Sequence, residues 1–342
     1  MVTGMSTPTP PGLDLDRLRD HLGTGPLEAE LISGGKSNLT YRLTDGKTRW
    51  VLRRPPLGHV LATAHDMSRE HRVIAALADT AVPVPGVHLL CEDPEVIGAP
   101  FYLMDEVQGT VYRTAEDAAG LSRERARALS FRLVDVLAGL HAVDPASVGL
   151  GDFGRPEGYL LRQVARWHRQ FEGSRSREIP GMEELQQRLN EGVPTSQRAV
   201  IVHGDYRLDN TIAAADDTIA AVLDWEMATL GDPLADVGLM KVYWDIAGTM
   251  PGNPVAGAVS PELGFPGMDE LVERYAAATG LDLTPLPWYT AFAQYKLAII
   301  AEGIHFRFIQ GKTVGDGFSH LGAMVPPLVA LALDTLAGKA AR

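Results

Sequence analysis

Two short apolar runs in the middle of the chain end in carboxylates. The first, Ile201 and Val202, leads into His203, Gly204 and Asp205, and Asn210 follows after four intervening residues. The second, Ala221 to Leu223, ends at Asp224 within the string Leu-Asp-Trp-Glu, with Gly231-Asp232-Pro233 and Asp236 beyond it. Each reads as a strand that stops at a polar loop. Carboxylate and amide oxygens are hard ligands that suit magnesium, which binds few protein groups and completes its shell with water and phosphate. A further carboxylate in reach of a hydroxyl can orient it and accept its proton. Those are the parts needed for phosphoryl transfer. Taken one at a time, Asp205 and Asp224 read as ordinary turn aspartates; the joint spacing is what points to chemistry.

The pattern H-G-D-x-x-x-x-N from His203 to Asn210, with Asp224 and the later G-D-P, resembles the aminoglycoside phosphotransferase family, a branch of the protein-kinase-like fold. The resemblance runs from about Leu27 to the last helices. The longer strings Trp50–Pro56, His203–Asn210 and Gly303–Arg307 are similar to those of the branch related to kinase domains found beside acyl-CoA dehydrogenases. The resemblance implies a bilobal α+β fold, with a small β-rich N-lobe and a larger, mainly helical C-lobe. It implies a magnesium-dependent transferase that moves the γ-phosphoryl group of ATP, its cosubstrate, to a small-molecule hydroxyl. Asp205 would be the catalytic base, Asn210 and Asp224 would hold the metal, and Asp236 would brace the catalytic loop from a following helix. His203 would pack and hydrogen-bond beneath that loop. The acceptor stays open between an aminoglycoside or macrolide and a hydroxyacyl-CoA. A nucleotide-binding module without turnover is the rival of a different class.

On the nucleotide side, Ser33, Gly34, Gly35, Lys36, Ser37 and Asn38 end in a Gly-Lys-Ser that suggests a P-loop. A P-loop needs glycine at position 30, where Glu30 stands, and a helix afterwards, where Leu39 to Leu43 alternates like a strand. A hairpin covering phosphates with backbone N–H groups and the Ser37 or Asn38 side chain fits better. Kinase-like folds use a lysine on the third strand. Arg53 occupies the matching position, with Arg54 as rival because neighbours on a strand face opposite ways. Arginine keeps its charge and grips phosphate bidentately. Glu70 borders the buried stripe of its helix, and by resemblance pairs with Arg53. Also by resemblance, Asp105 and Val107 form the hinge, offering a backbone carbonyl and N–H to adenine.

The elements that must position these groups follow from periodicity. Leu39, Tyr41 and Leu43 alternate as a half-buried strand, Asp45-Gly46 turns the chain, and Arg49 to Arg53 is a second strand ending at Pro55-Pro56. Ala64, Met67, His71, Ile74 and Ala78 fall at helical spacing. Phe101 to Met104 reads as a buried strand. Helices are predicted over 129–140, 162–172, 182–189, 288–310 and 324–336, with β-like interruptions at 199–202 and 219–223. Residues 250–267, rich in proline and glycine, read as a loop. The domain expectation is a disordered leader over 1–12, an N-lobe over 13–106 and a C-lobe over 107–342, with the small-molecule site in the cleft of the two.

Composition sets the outer bounds. The chain has 342 residues, 45% apolar, enough for a large core. With 43 acids against 31 bases the net charge is −12, which argues against a nucleic-acid or anionic-membrane partner. The apolar stretch Ala323 to Leu333 is too short to span a bilayer. A single cysteine, Cys91, excludes an internal disulfide and points to the cytoplasm. No H-E-x-x-H motif supports a zinc hydrolase. Gly317 to Leu321 lacks the second glycine of a hydrolase elbow, and no dinucleotide-binding fingerprint follows a strand. Trp288, Tyr289, Phe292 and Tyr295, near helical spacing, read as core.

Overall fold

The computed structural model describes residues 10–32, 38–57, 66–247, 257–312 and 320–339. Most of the expected leader, the hairpin residues Ser33, Gly34, Gly35 and Ser37, and Ala64 lie outside the described residues. In chain order the elements are α1 (Leu15–Leu22), β1 (Glu28–Leu31), β2 (Leu39–Thr44), β3 (Arg49–Arg54), α2 (Met67–Leu77), β4 (Val87–Cys91), α3 (Pro94–Ile97) and β5 (Phe101–Asp105). There follow α4 (Ala115–Ala118), α5 (Arg123–Ala142), α6 (Tyr159–Ser174), α7 (Met182–Glu191), β6 (Val200–Val202), β7 (Thr211–Ala213) and β8 (Ile219–Val222). The chain ends with β9 (Thr229–Gly231), α8 (Pro233–Ala247), α9 (Met268–Thr279), α10 (Leu286–Ile309) and α11 (Leu321–Leu336). Two compact units result, one of Met1–Thr110 with Thr211–Ala228, the other of Val111–Asn210 with Thr229–Arg342.

The first unit is built on an antiparallel sheet in the order β1-β2-β3-β5-β4. Asp45 closes the β2–β3 turn by accepting from the N–H groups of Lys47 and Thr48 at 2.9 and 2.7 Å. Because side chains alternate along a strand, Leu52 and its partner Leu103 face a core with Leu18, Tyr41, Leu43, Cys91, Ile97 and Phe101. Cys91 is therefore packing. The next pair, Arg53 and Tyr102, faces the other way. Helix α2 starts at Asp66, whose side chain accepts from the Arg69 N–H at 3.0 Å, an N-cap. Its buried residues are Met67, Glu70, Val73, Ile74 and Leu77, while His71 is only half-buried. The stripe is thus turned from the one predicted through His71, and Glu70 lies inside it rather than at its border. Hydrophobicity alone could not show this, since a carboxylate enters a core only where partners await it. The β7–β8 hairpin also belongs to this unit: Thr110 and Ala213 exchange backbone hydrogen bonds, and Val222 N–H donates to Pro83 at 2.8 Å.

The second unit is mainly helical, with β6 and β9 as an antiparallel pair. The Gly231-Asp232-Pro233 string is the start of α8: Asp232 accepts from the Leu234 N–H at 2.9 Å and Pro233 takes the first helical position. Gly238 lets α8 approach α10 closely, since a Cβ there would come within 2.7 Å of the Tyr289 backbone. Trp288, Tyr289, Phe292 and Tyr295 are buried in α10, with Trp288 and Phe292 stacked at 5.5 Å, so these aromatics are core. Among the described residues no helix is long and apolar enough to cross a membrane. The expected α+β division, a β-rich sheet first and a mainly helical remainder, is the one found.

Candidate functional site

In the second unit the three residues of β6 are fully buried and deliver His203, itself buried, into the loop. Gly204 adopts a φ of 83°, a left-handed conformation that suits glycine. Asp236, on the first turn of α8 and 0% exposed, accepts from the backbone N–H groups of His203 and Gly204, each at 2.7 Å. His141 of α5 meets the same carboxylate at 3.2 Å and contacts the Tyr275 hydroxyl at 2.6 Å. The Asp205 N–H donates to His203 Nδ1 at 3.2 Å. A side chain from a distant helix thus holds the loop by its backbone. Asp236 keeps its carboxyl below the usual carboxylate range: burial opposes this, and His141 and the Gly204 N–H outweigh it.

Asp205 is ringed by donors. Tyr243 donates its hydroxyl to Oδ1 at 2.7 Å, while Arg207 Nε and Asn210 Nδ2 donate to Oδ2 at 3.2 and 3.0 Å. Asn210 Nδ2 also donates to the Asp205 carbonyl at 2.8 Å. Burial raises the Asp205 pKa, but Arg207, Lys296 and the Tyr243 hydroxyl more than offset it, so the carboxyl sits below its ordinary value. Arg207 also pairs with Asp209 and lies 5.4 Å from the centre of the Tyr243 ring. The amide nitrogen of Asn210 is committed to Asp205, which turns its carbonyl oxygen away from that carboxylate.

In the first unit Arg53 gathers acids. Its Nε stands 3.0 Å from Glu70 Oε1 and donates to Oε2 at 3.1 Å. Its Nη2 donates to Asp224 and lies 3.8 Å from Glu226. Asn38 Nδ2 donates to Glu226 at 3.0 Å. Burial raises the Glu70 pKa and Arg53 opposes that rise. The Tyr102 hydroxyl bonds to Glu70 and stays protonated well above its usual range, through burial and then the Glu70 charge. Arg54 faces the other side of the sheet and donates to the carbonyls of Pro55, Ile97 and Gly12, which separates it from this cluster. Asp224 has φ 66° and ψ 58°, one of two non-glycine positive-φ residues among those described. Such a backbone costs about 1 kcal/mol or more and collects at functional sites. Asp105 ends β5 and pairs its carboxylate with His88 at 2.6 Å; Val107 lies just beyond the strand.

Each unit therefore brings together expected residues with others that spacing did not reveal. Arg53, Glu70, Asp224 and Asn38 form one cluster, with Tyr102 and Glu226 added. Asp205, Asn210 and Asp236 form the other, with His141, Arg207, Tyr243 and Lys296 added. Arg207 lies inside the motif, where its charge was the available signal. Tyr243 and Lys296 lie far along the chain.

The model of the phosphotransferase enzyme family, APH, matches residues 28–289. Mouse acyl-CoA dehydrogenase family member 10 is 36% identical over 318 residues, which cover 91% of this chain and 29% of that protein. Human acyl-CoA dehydrogenase family member 11 is 34% identical over 304 residues, 88% of this chain and 39% of that protein. The chain therefore spans well under half the length of these relatives. A crystal structure from Ralstonia eutropha, classed provisionally as an aminoglycoside phosphotransferase, is 32% identical with a TM-score of 0.82, covering 96% of this chain and 99% of that one. The aminoglycoside phosphotransferase APH(4)-Ia shares the fold, at 17% identity and a TM-score of 0.66 over 95% of this chain and 100% of that one. Sheet, helices and motif agree with these matches, and the chain belongs to the APH phosphotransferase family with its kinase-like fold, on a branch that includes acyl-CoA dehydrogenase family members 10 and 11.

Proposed function

We propose that the protein is an ATP-dependent kinase of a small molecule, moving the γ-phosphoryl group to an alcohol. The observation that carries this reading is Asp205, an anionic carboxylate held by Tyr243, Arg207 and Asn210 on a loop anchored by its backbone. A carboxylate with a lowered pKa is a weak Brønsted base. Its part is to accept a hydrogen bond from the acceptor hydroxyl and aim the oxygen. As the bond from the acceptor oxygen to the γ-phosphorus forms, the bond from that phosphorus to ADP breaks and ADP leaves. The hydroxyl proton passes late to the Asp205 carboxylate, which suits a loose transition state. Arg53, oriented by Glu70, would bind nucleotide phosphates bidentately. The hairpin residues Ser33, Gly34, Gly35, Ser37 and Asn38 would cover them, and the backbone at Asp105 and Val107 would take the base. A structural neighbour, APH(4)-Ia, was solved with ADP and hygromycin B, which supports a nucleotide and a small molecule as the ligand classes.

A carboxylate and an amide oxygen are donor types that suit magnesium. Asn210 turns a carbonyl oxygen away from Asp205, and Asp224 is a part-exposed carboxylate with one oxygen engaged by Arg53. Asn210 and Asp224 would hold the ion. The ion would supply charge neutralisation on the phosphates.

For the acceptor we favour a hydroxyacyl-CoA over an antibiotic, on the strength of the acyl-CoA dehydrogenase relatives. The reading as a nucleotide-binding module without turnover starts from Arg53 in place of lysine. The Arg53–Glu70 pair speaks against it, because it supplies the fixed cation that a lysine would. An ATP-consumption assay across hydroxyacyl-CoAs, macrolides and aminoglycosides separates these readings. Turnover with a hydroxyacyl-CoA supports the proposal. Tight Mg-ATP binding with no turnover on any acceptor favours the module.

A further inference from the structure

Helix α10 is apolar and buried along most of its length, yet it carries Lys296 midway. The Lys296 ammonium donates to the Gly204 carbonyl at 2.8 Å. It stands 5.5 Å from the centre of the buried Trp167 ring of α6, within cation–π range. That carbonyl belongs to the peptide joining Gly204 to Asp205. The N–H of the same peptide donates to His203 Nδ1 at 3.2 Å. The preceding peptide is held by Asp236 through the Gly204 N–H at 2.7 Å. Gly204, with its positive φ, is the most permissive link between them. Without a partner for its carbonyl, rotation at this residue would swing the peptide and the Asp205 side chain that leaves from it. An ammonium withdrawn from water is costly unless its hydrogen bonds compensate. An apolar side chain would pack this seam at less cost, so the lysine calls for a role beyond packing.

We propose that Lys296 is a positioning residue for phosphoryl transfer: it fixes the Gly204 carbonyl from α10 and so sets the direction in which Asp205 presents its carboxylate. Trp167 holds the ammonium in place from the side. This rests on the phosphotransferase reading of Asp205. It adds to it a residue that lies outside the H-G-D-x-x-x-x-N motif and acts through the backbone.

The test compares Lys296→Met and Lys296→Arg with the wild-type full chain, using Mg-ATP and the hydroxyacyl-CoA panel. Misplacement of a reacting group by about an ångström costs on the order of 100-fold in rate. Lys296→Met is expected to lower kcat by about 10- to 100-fold, while the KM and Kd for Mg-ATP and the thermal midpoint stay near wild type. Lys296→Arg, which can still donate to a carbonyl, should recover much of kcat. Independently of turnover, hydrogen exchange at the amides of residues 203–206 should quicken in Lys296→Met and not in Lys296→Arg. Wild-type kcat in Lys296→Met, or a loss that Lys296→Arg does not relieve, overturns the proposal. Unchanged exchange at residues 203–206 overturns it as well. If the wild type transfers no phosphoryl group, the underlying reading and the catalytic part of this proposal fail together. The exchange arm would still report whether Lys296 anchors the loop.

Discussion

Around Arg53 one guanidinium serves three carboxylates, Glu70, Asp224 and Glu226; around Asp205 one carboxylate is served by three donors, Tyr243, Arg207 and Asn210. The first arrangement is made of side chains on β3, α2 and the segment after β8. Its geometry depends on charge, and an incoming phosphate or cation can redistribute it. The second is fastened through backbone, with Asp236 gripping two successive N–H groups and Lys296 a carbonyl. A ligand cannot easily rearrange it. The contrast assigns different kinetic signatures: changes around Arg53 should alter nucleotide binding, and changes around Asp205 should alter turnover.

The strongest way to break that division is Asp205→Ala. Loss of a positioned acid–base group should lower kcat by about 10²- to 10⁴-fold, with Mg-ATP affinity near wild type by calorimetry. A matching loss of affinity would erase the contrast.

Asp236→Asn should cost about 3 kcal/mol or more of stability, because a buried charge network loses its anion. The amide cannot accept equally from both loop N–H groups, and urea denaturation would measure the loss. The pH dependence has a definite sign. The folded Asp236 pKa lies below the unfolded value of about 3.9. Its contribution is therefore complete above that value and is lost as pH falls through the lower, folded one. Wild-type stability should drop along this acid limb, and Asp236→Asn should flatten it.

Asp224→Ala should weaken Mg-ATP binding by about tenfold or more, roughly 1.4 kcal/mol, while leaving binding of ATP without metal less affected. Equal titrations with and without magnesium in wild type and variant would count against the metal role. Glu70→Gln should be the mildest, raising the KM for ATP by about fivefold, near ~1 kcal/mol, through a less firmly held Arg53. A fall in kcat at constant KM would move Glu70 to the other side of the comparison.

The motif was readable because its chemistry is local: His203 to Asn210 and Asp224 carry their spacing in the chain, and period-two alternation located β2 and β3. What escaped depends on distance along the sequence. Tyr243 meets Asp205, and Lys296 the Gly204 carbonyl, only once α8 packs against β6 and α10 reaches its loop. Spacing from Met67 and Ile74 puts Glu70 at the border of its helix stripe, and only Arg53 and Tyr102 on the sheet explain its full burial. The eight-residue α1 is too brief to stand out, whereas α9, at 12 residues longer than α2 and α7, is simply missing from the sequence reading. The membership of β7 and β8 in the sheet-bearing unit is a matter of topology, set by hydrogen bonds to Thr110 and Pro83.

The most direct measurement follows the label of γ-phosphoryl-labelled ATP, with magnesium, in the wild type and in Asp205→Ala. In the wild type, label should appear on the hydroxyl of a hydroxyacyl-CoA. In Asp205→Ala it should stay on ATP that the variant still binds. Transfer by Asp205→Ala at the wild-type rate would contradict the account.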